Sequence, residues 1–259
     1  GHPLAHDQRA FEERYCHGHW SERGGQRHWL AQGASHLEEL RRLTRPLLLH
    51  RRKQDCLDLP PKRRQLHPVQ LSPQEAQGFD HRLSLTVEDY RRRAAAGLVR
   101  RDAEALAVFT ALRQIAADYK LPAAALLVQQ LLGQGECVVL FTAFVAAAEL
   151  LHAQLGGVLL TGRQPVADRQ RLVDGFQRGD QPLLISTFGT GGLGFTLHRA
   201  RHVVLLERPW TPGDAEQAED RCHRIGMGAS LQSHWLQLGL ADQLVDGLIA
   251  SKAERIELL

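Results

Sequence analysis

Lysine is scarce in this 259-residue chain, occurring only at Lys53, Lys62, Lys120 and Lys252, and the sole methionine is Met227. Arginine therefore carries the basic charge, a bias that points to a GC-rich bacterial genome. A chain whose only methionine is internal reads as a fragment of a longer protein, with Gly1-His2 an expression scar. There is no run of eighteen apolar residues, so no membrane-spanning helix is expected. No basic and apolar leader opens the chain, so no secretory signal is expected. The four cysteines, Cys16, Cys56, Cys137 and Cys222, lie far apart, which argues against a disulfide framework and for a reducing, intracellular setting. Cys16-His17-Gly18-His19 has no second cysteine and no C-x-x-C spacing, so no metal site is expected there. G-x-x-x-x-G-K-[ST] occurs nowhere, and no D-E-x-H pair closes a strand. The chain thus lacks a phosphate-cradling P-loop and the acidic pair that would hold magnesium beside it.

What is present suffices for one large domain or two small ones. Hydrophobic residues make up 43% of the chain, enough to bury a core. Net charge is only +3, but Arg41, Arg42, Arg45, Arg51, Arg52, Lys53, Lys62, Arg63 and Arg64 are bunched. Such a cluster is compatible with a phosphate-bearing partner, or with a solvated face.

The first forty-odd residues are weakly patterned. Ser35-His36-Leu37-Glu38 matches a capping box opening a short helix. Lys62 to Leu71 alternates as a strand, with Leu66, Val69 and Leu71 apolar, and Ser72-Pro73 starts a helical region running to about Tyr119. There Leu106, Phe109, Leu112 and Ile115 keep helical spacing; Arg91-Arg92-Arg93 and Arg100-Arg101 fit solvated helix faces better than a DNA contact. A second apolar helical stretch, Leu126 to Leu132, ends at Gly133. From there the rhythm is regular. Strands are expected at 137–141, 158–160, 183–186, 202–206 and 231–238, and helices at 144–155, 166–177 and 241–255. Strands alternating with helices mean a parallel sheet covered on both faces, an α/β fold.

Two stretches carry chemistry. In Trp210 to Met227, Pro212 and Gly213 turn the chain, Asp214 is placed as an N-cap, and a helix is expected to run to Gly226. On it Gln217, Arg221 and Arg224 fall at i, i+4 and i+7, one amide and two guanidinium groups suited to phosphate oxygens. An ordinary surface helix would instead pair Glu216, Glu219 and Asp220 with those arginines. In Ser186 to Thr196, Gly189-x-Gly191-x-x-Gly194 follows a strand, and Glu207 ends the next one, as in a dinucleotide-binding fingerprint. Only seven residues separate Gly194 from His202, too few for the crossover helix that fold needs. A nicotinamide-dependent oxidoreductase is thereby disfavoured.

The stretch Trp210-Thr211-Pro212, then Gln217, Ala218, Asp220, Arg221, His223, Arg224, Ile225, Gly226, closely resembles motif VI of the Swi/Snf family of DNA-dependent ATPases, within helicase superfamily two. Thr211 and Met227 depart from the family's Asn and Gln. Gly191-Gly192-Leu193-Gly194 with Thr196-Leu197 is similar to motif V, with a loop one residue longer. Val138 to Thr142 resembles motif IV, and Thr161-Gly162 with Arg169 and Phe176 the motif that follows it. Arg45 to Leu59 followed by Pro60-Pro61-Lys62 resembles the segment joining the two motor lobes. Phe11 to Cys16 and Gly33 to Leu40 look most like the annealing-helicase branch.

The resemblance implies the second RecA-like lobe of such a motor. Residues 1–44 would be a helical tail of the first lobe, 45–61 the linker, 62–133 the first strand and a helical protrusion, and 134–259 the RecA-like core with motifs IV to VI. It implies Arg224 as arginine finger, with Arg221 and Gln217 beside it, and Gly192, Gly194 and Asp220 near the nucleotide. Thr142, Thr161, Gly162, Arg169, Ser186, Thr187 and Trp210 would track along DNA. ATP and Mg2+ would be held mainly by the first lobe, and this lobe alone would not hydrolyse ATP. The implied partners are double-stranded or branched DNA and the first lobe. The implied setting is a monomer in the bacterial cytoplasm at the nucleoid, or in the nucleus of a eukaryote. A nucleic-acid-binding module without ATPase activity is the alternative.

Overall fold

The computed structural model describes residues 4, 7–23, 25–31, 33–47, 53–96, 101–191, 194–209, 212–239 and 242; of these, the side chains of 23, 54, 101–106, 191 and 212 are not described. The chain divides into two compact units, one within residues 1–56 and one within 57–250.

In the first unit, helix α1 (Gln8–Tyr15) starts at Asp7, whose side chain accepts the Arg9 amide. A two-stranded antiparallel hairpin follows, β1 (His19–Arg23) and β2 (Gln26–Leu30), with Trp20 opposite Trp29. The alternation here is of tryptophan with charge, which is why the segment looks unpatterned by apolar spacing. The sequence signal for it is the Gly24-Gly25 dipeptide, a pair favoured in two-residue hairpin connections. Helix α2 (Leu37–Thr44) forms as expected, but without the capping box. The Ser35 hydroxyl donates to the Arg14 carbonyl instead, and left-handed His36 takes the N-cap position with no side-chain cap. A short helix, α3 (Lys53–Cys56), ends the unit.

The second unit is a six-stranded, all-parallel sheet between helices. Its elements are β3 (Lys62–Pro68), α4 (Pro73–Ala95), α5 (Arg101–Gly133), β4 (Val138–Thr142), α6 (Val145–Leu155), β5 (Val158–Leu160), α7 (Val166–Arg178), β6 (Leu183–Thr187), α8 (Phe188–Gly191), β7 (His202–Leu205), α9 (Pro212–Asp220) and β8 (Leu231–Gln237). The strand order is β3-β8-β7-β4-β6-β5. The central strands are short apolar runs buried throughout, as parallel strands covered on both faces must be. Their period of two sorts the core. Val139 and Phe141 point with Leu184 and Val203 towards Phe176 of α7 and Ala215 of α9. Val138 and Leu140 point with Leu183 and Ile185 towards Val128 of α5 and Leu151 of α6.

Several local rules act as expected. Ser72 and Glu75 form a reciprocal capping box at α4. Gly157 stops the chain between α6 and β5 at φ +83°, where a Cβ would lie 2.7 Å from the Leu183 carbonyl oxygen. Three expectations are corrected. The strand at 62–71 stops at Pro68, and on this sheet edge Leu66 is exposed. The helix expected to end near Tyr119 runs on as α5 through Pro122, because burial of Ala117, Ala124, Ala125 and Val128 against the sheet outweighs one missing backbone bond. Asp214 does not cap α9; the helix already begins at Pro212, leaving Asp214 in its first turn. Leu106 and the Arg100-Arg101 side chains lie outside the described residues, as does the helix expected over 241–255, apart from Asp242. Arg92 and Arg93 both pair with Asp89 of their own helix. Among the described residues no helix is long and apolar enough to cross a membrane.

Candidate nucleotide and DNA interface

In an open parallel sheet, ligands meet the carboxyl ends of the strands where the order reverses. Here β4 has β6 on one side and β7 on the other, so the reversal lies at β4. The register places Thr142 beside Thr187, and Leu160 beside Ser186, so Thr161 follows in the same row.

These hydroxyls build the loops rather than line an open surface. Thr142 is buried and donates to the Glu207 carboxylate at 2.9 Å, while accepting the Phe144 amide. Glu207, the acid a dinucleotide fold would have aimed at a ribose, is fully enclosed and also accepts the Ala143 amide at 2.8 Å. Burial raises its pKa, opposed by Lys120 and these two donors. Thr161 is buried, its amide and hydroxyl both bonded to the Gln164 side-chain oxygen. Arg169 reaches back from α7 to the carbonyls of Gln164 and Gly162, both at 2.9 Å, and so fastens that loop. Ser186 is buried with its hydroxyl on the Thr187 carbonyl. Thr187 shares a 2.9 Å hydrogen bond with Thr190, a residue the sequence motifs do not single out. At the surface these loops present Ala143, Gly162, Arg163 and Gly189. Gly192 and Trp210, two expected site residues, lie outside the described residues.

Motif VI is built differently from the expected continuous helix. α9 ends at Asp220, and Arg221 to Gly226 form turns. The cause is a long-range bond: the Arg221 carbonyl accepts the Leu197 amide at 2.7 Å, so it is not left to a continuing helix. Gln217 and Arg221 therefore part from Arg224. Gln217 and Arg221 line a cleft with Phe141, Phe188, Gly189, Asp214 and Ala218. Phe188 stacks on Phe141, with ring centroids 5.8 Å apart, and forms its wall. Arg221 is only 8% exposed, and its buried Nε has no hydrogen-bond partner among the described residues. Burial, then the nearby Arg224 charge, lower its pKa, with Asp220 opposing. Arg224 instead donates to the Asp220 carbonyl at 3.0 Å, the Thr196 hydroxyl at 2.8 Å and the Gly194 carbonyl at 3.4 Å.

Asp220 acts electrostatically on Arg221, but the glutamates of α9, Glu216 and Glu219, pair elsewhere. Their partners come from β3, where Lys62 and Arg64 share one strand face. Arg64 grips the buried Glu219 carboxylate through Nε at 2.8 Å and a terminal nitrogen at 2.6 Å. Lys62 reaches Glu216 at 2.5 Å, Glu219 at 2.9 Å and Asp220 at 3.7 Å. Ser233 and Trp235 of β8 also donate to Glu219. Burial would raise the Glu219 pKa, but Arg64 and Lys62 outweigh it and hold it below its ordinary value. Two members of the basic run, Lys62 and Arg64, are thus engaged within the lobe. Glu219 had a signal in the sequence, since it lies one turn after Ala215 on the buried stripe of α9.

Residues 123–226 match the helicase conserved C-terminal domain. Together with the six-stranded parallel sheet, this defines the class: a C-terminal, RecA-like helicase lobe. The chain is a homologue of Swi/Snf-family helicases. It is 30% identical over 255 residues to the DNA annealing helicase and endonuclease ZRANB3 of Mus musculus, covering 94% of this chain and 23% of that protein. It is 29% identical over 238 residues to the putative ATP-dependent helicase/translocase YwqA of Bacillus subtilis, covering 83% of this chain and 26% of that one. The chain thus spans about a quarter of the length of these curated relatives. Among solved structures, the SWI2/SNF2 ATPase core of Sulfolobus solfataricus in complex with dsDNA superposes with a TM-score of 0.60 at 22% identity, over 84% of this chain and 50% of that chain. The C-terminal part of the Fun30 ATPase domain gives 0.57 at 20% identity, over 74% of this chain and 90% of that chain.

Proposed function

We propose that this chain is the second motor lobe of an ATP-driven translocase on double-stranded DNA, and that its motif VI turn completes an ATP site formed with a preceding lobe. One observation carries the reading: Arg221 holds a buried guanidinium nitrogen without a partner in a cleft shared with Gln217 and Gly189. A buried donor left without an acceptor is costly, and an anion whose oxygens enter the cleft would remove that cost.

The residues present fit half of a nucleotide site. Bound ATP with Mg2+ would supply the phosphoryl group and its leaving group, held mainly by the other lobe. Arg221 is already placed in the cleft. Arg224 is held on neutral oxygens, which a phosphate oxygen outcompetes because charge-assisted bonds are stronger. On lobe closure both would neutralise charge developing on the transferred group, a contribution of about 10³–10⁵ in rate for an arginine finger. Gln217 would orient the phosphate end. The exposed backbone of Gly162 and Gly189, on loops fastened by Thr161, Arg169, Thr187 and Thr190, would contact the DNA backbone without reading sequence. The similarity to a Sulfolobus ATPase core solved in complex with dsDNA, and to the annealing helicase ZRANB3, favours double-stranded or branched DNA as partner. We place the protein, as a monomer, at the nucleoid or in the nucleus.

The test is ATP hydrolysis with duplex DNA, by this chain alone and by the two-lobe protein. Silence alone with DNA-stimulated turnover in the two-lobe protein is expected. Hydrolysis by this chain alone, or silence in both, overturns the reading; the latter favours a DNA-binding module.

A further inference from the structure

The turn carrying Arg221 and Arg224 is short and irregular, yet its position decides where both guanidinium groups stand. Two side chains bracket Arg221 in sequence, Glu219 before it and His223 after it. Both reach the same segment, Pro60 to Arg64, where the chain enters the sheet. The His223 ring contacts the Pro60 carbonyl through Nε2 at 2.7 Å. A carbonyl only accepts, so Nε2 carries the hydrogen. Glu219 is enclosed and takes the two-pronged Arg64 contact and Lys62. The adjoining Pro61 carbonyl accepts the Leu231 amide at 3.0 Å, which fixes the segment to the start of β8.

We propose that Glu219 and His223 are positioning residues that lock the arginine-bearing turn to Pro60–Arg64, so that the entering segment and the arginines move as one body. This rests on the reading that the turn's arginines meet a phosphate group. A buried carboxylate with two cationic partners is a rigid joint, since parting it from them leaves its charge enclosed and unpaired. The His223 bond adds a second point beyond Arg221, so the turn cannot pivot about Glu219. On the other side, Leu197 and Thr196 hold the turn to the glycine-rich loop. A strain applied to the residues before Pro60 is thereby delivered to Arg221 rather than absorbed in a loose loop.

The test compares His223→Leu, His223→Gln and Glu219→Gln in the two-lobe protein, with Arg221→Ala as reference. His223→Leu is expected to lower the DNA-stimulated kcat about tenfold with KM for ATP unchanged, the signature of misplacement in the transition state. His223→Gln, whose amide keeps a donor, restores most of it. Glu219→Gln lowers kcat in the same direction. Thermal unfolding and duplex binding of His223→Leu should match the parent, which separates misplacement from misfolding. Parent-like kcat in His223→Leu, or equal losses in the Leu and Gln variants, overturns the proposal. Parent-like turnover in Arg221→Ala instead overturns the underlying reading of the site.

Discussion

The Arg224 guanidinium donates to the Thr196 hydroxyl at 2.8 Å, while three residues earlier the Arg221 Nε is enclosed without a partner. One arginine of motif VI is thus parked on the glycine-rich loop, and the other stands in the cleft. Parking on a neutral oxygen is reversible, which predicts an asymmetry. Thr196→Val should change DNA-stimulated turnover by less than about tenfold, the worth of one neutral hydrogen bond. Arg224→Ala should reduce it by about 10³ or more. Steady-state ATPase assays on the two-lobe protein compare them directly; an equal, severe loss in both would mean that Thr196 itself acts at the phosphates.

Binding to duplex DNA should depend on salt. If the surface loops at Gly162 and Gly189 hold phosphates, counterions leave on binding. Even about two such contacts cost on the order of tenfold in affinity between about 50 mM and 200 mM salt. Fluorescence anisotropy of this chain on a labelled duplex reads the slope. Salt-independent affinity would contradict a backbone-tracking surface. Arg169→Ala should weaken binding because it releases the Gly162 carbonyl and loosens the loop.

Acid should destabilise the lobe through a histidine chain. His67 and His202 each bond the central His234 at 2.9 Å, and Glu136 lies 3.7 Å from His202. Burial, then the two neighbouring rings, lower the His234 pKa from 6.5 to about 4. Burial also lowers those of His67 and His202, at the latter with Glu136 opposing and Arg201 assisting. As pH falls below 6.5 the unfolded chain takes up protons that folded His234 refuses until about 4. The stability is therefore present above 6.5 and lost between these values. Denaturant midpoints should fall between pH 7 and pH 5, and fall less in His234→Leu. An unchanged midpoint across that range would contradict this linkage.

The strands at 138–142, 158–160 and 183–187 were legible because each is a short apolar run that meets a hydroxyl residue at its end. The end of α9 was not. Its sequence reads as helix through Arg224, and the bond that ends it comes from Leu197, far back in the chain. The inward bonds of the strand-end hydroxyls were not legible: Glu207 reaches Thr142 only in the fold, and the turn that brings Gln164 onto Thr161 carries no distinct signal. The same holds for Lys62 and Arg64. A run of bases looks free until Glu216 and Glu219, some 150 residues later, are seen beside it.

If motif VI brings its arginines to ATP held by a preceding lobe, Arg221 cannot be spared. Arg221→Ala in the two-lobe protein tests this most directly, by DNA-stimulated ATP hydrolysis at saturating ATP with the unfolding midpoint measured in parallel. The expected result is a fall of about 10³ or more with the fold intact. Parent-like turnover in Arg221→Ala would contradict a phosphate-facing motif VI.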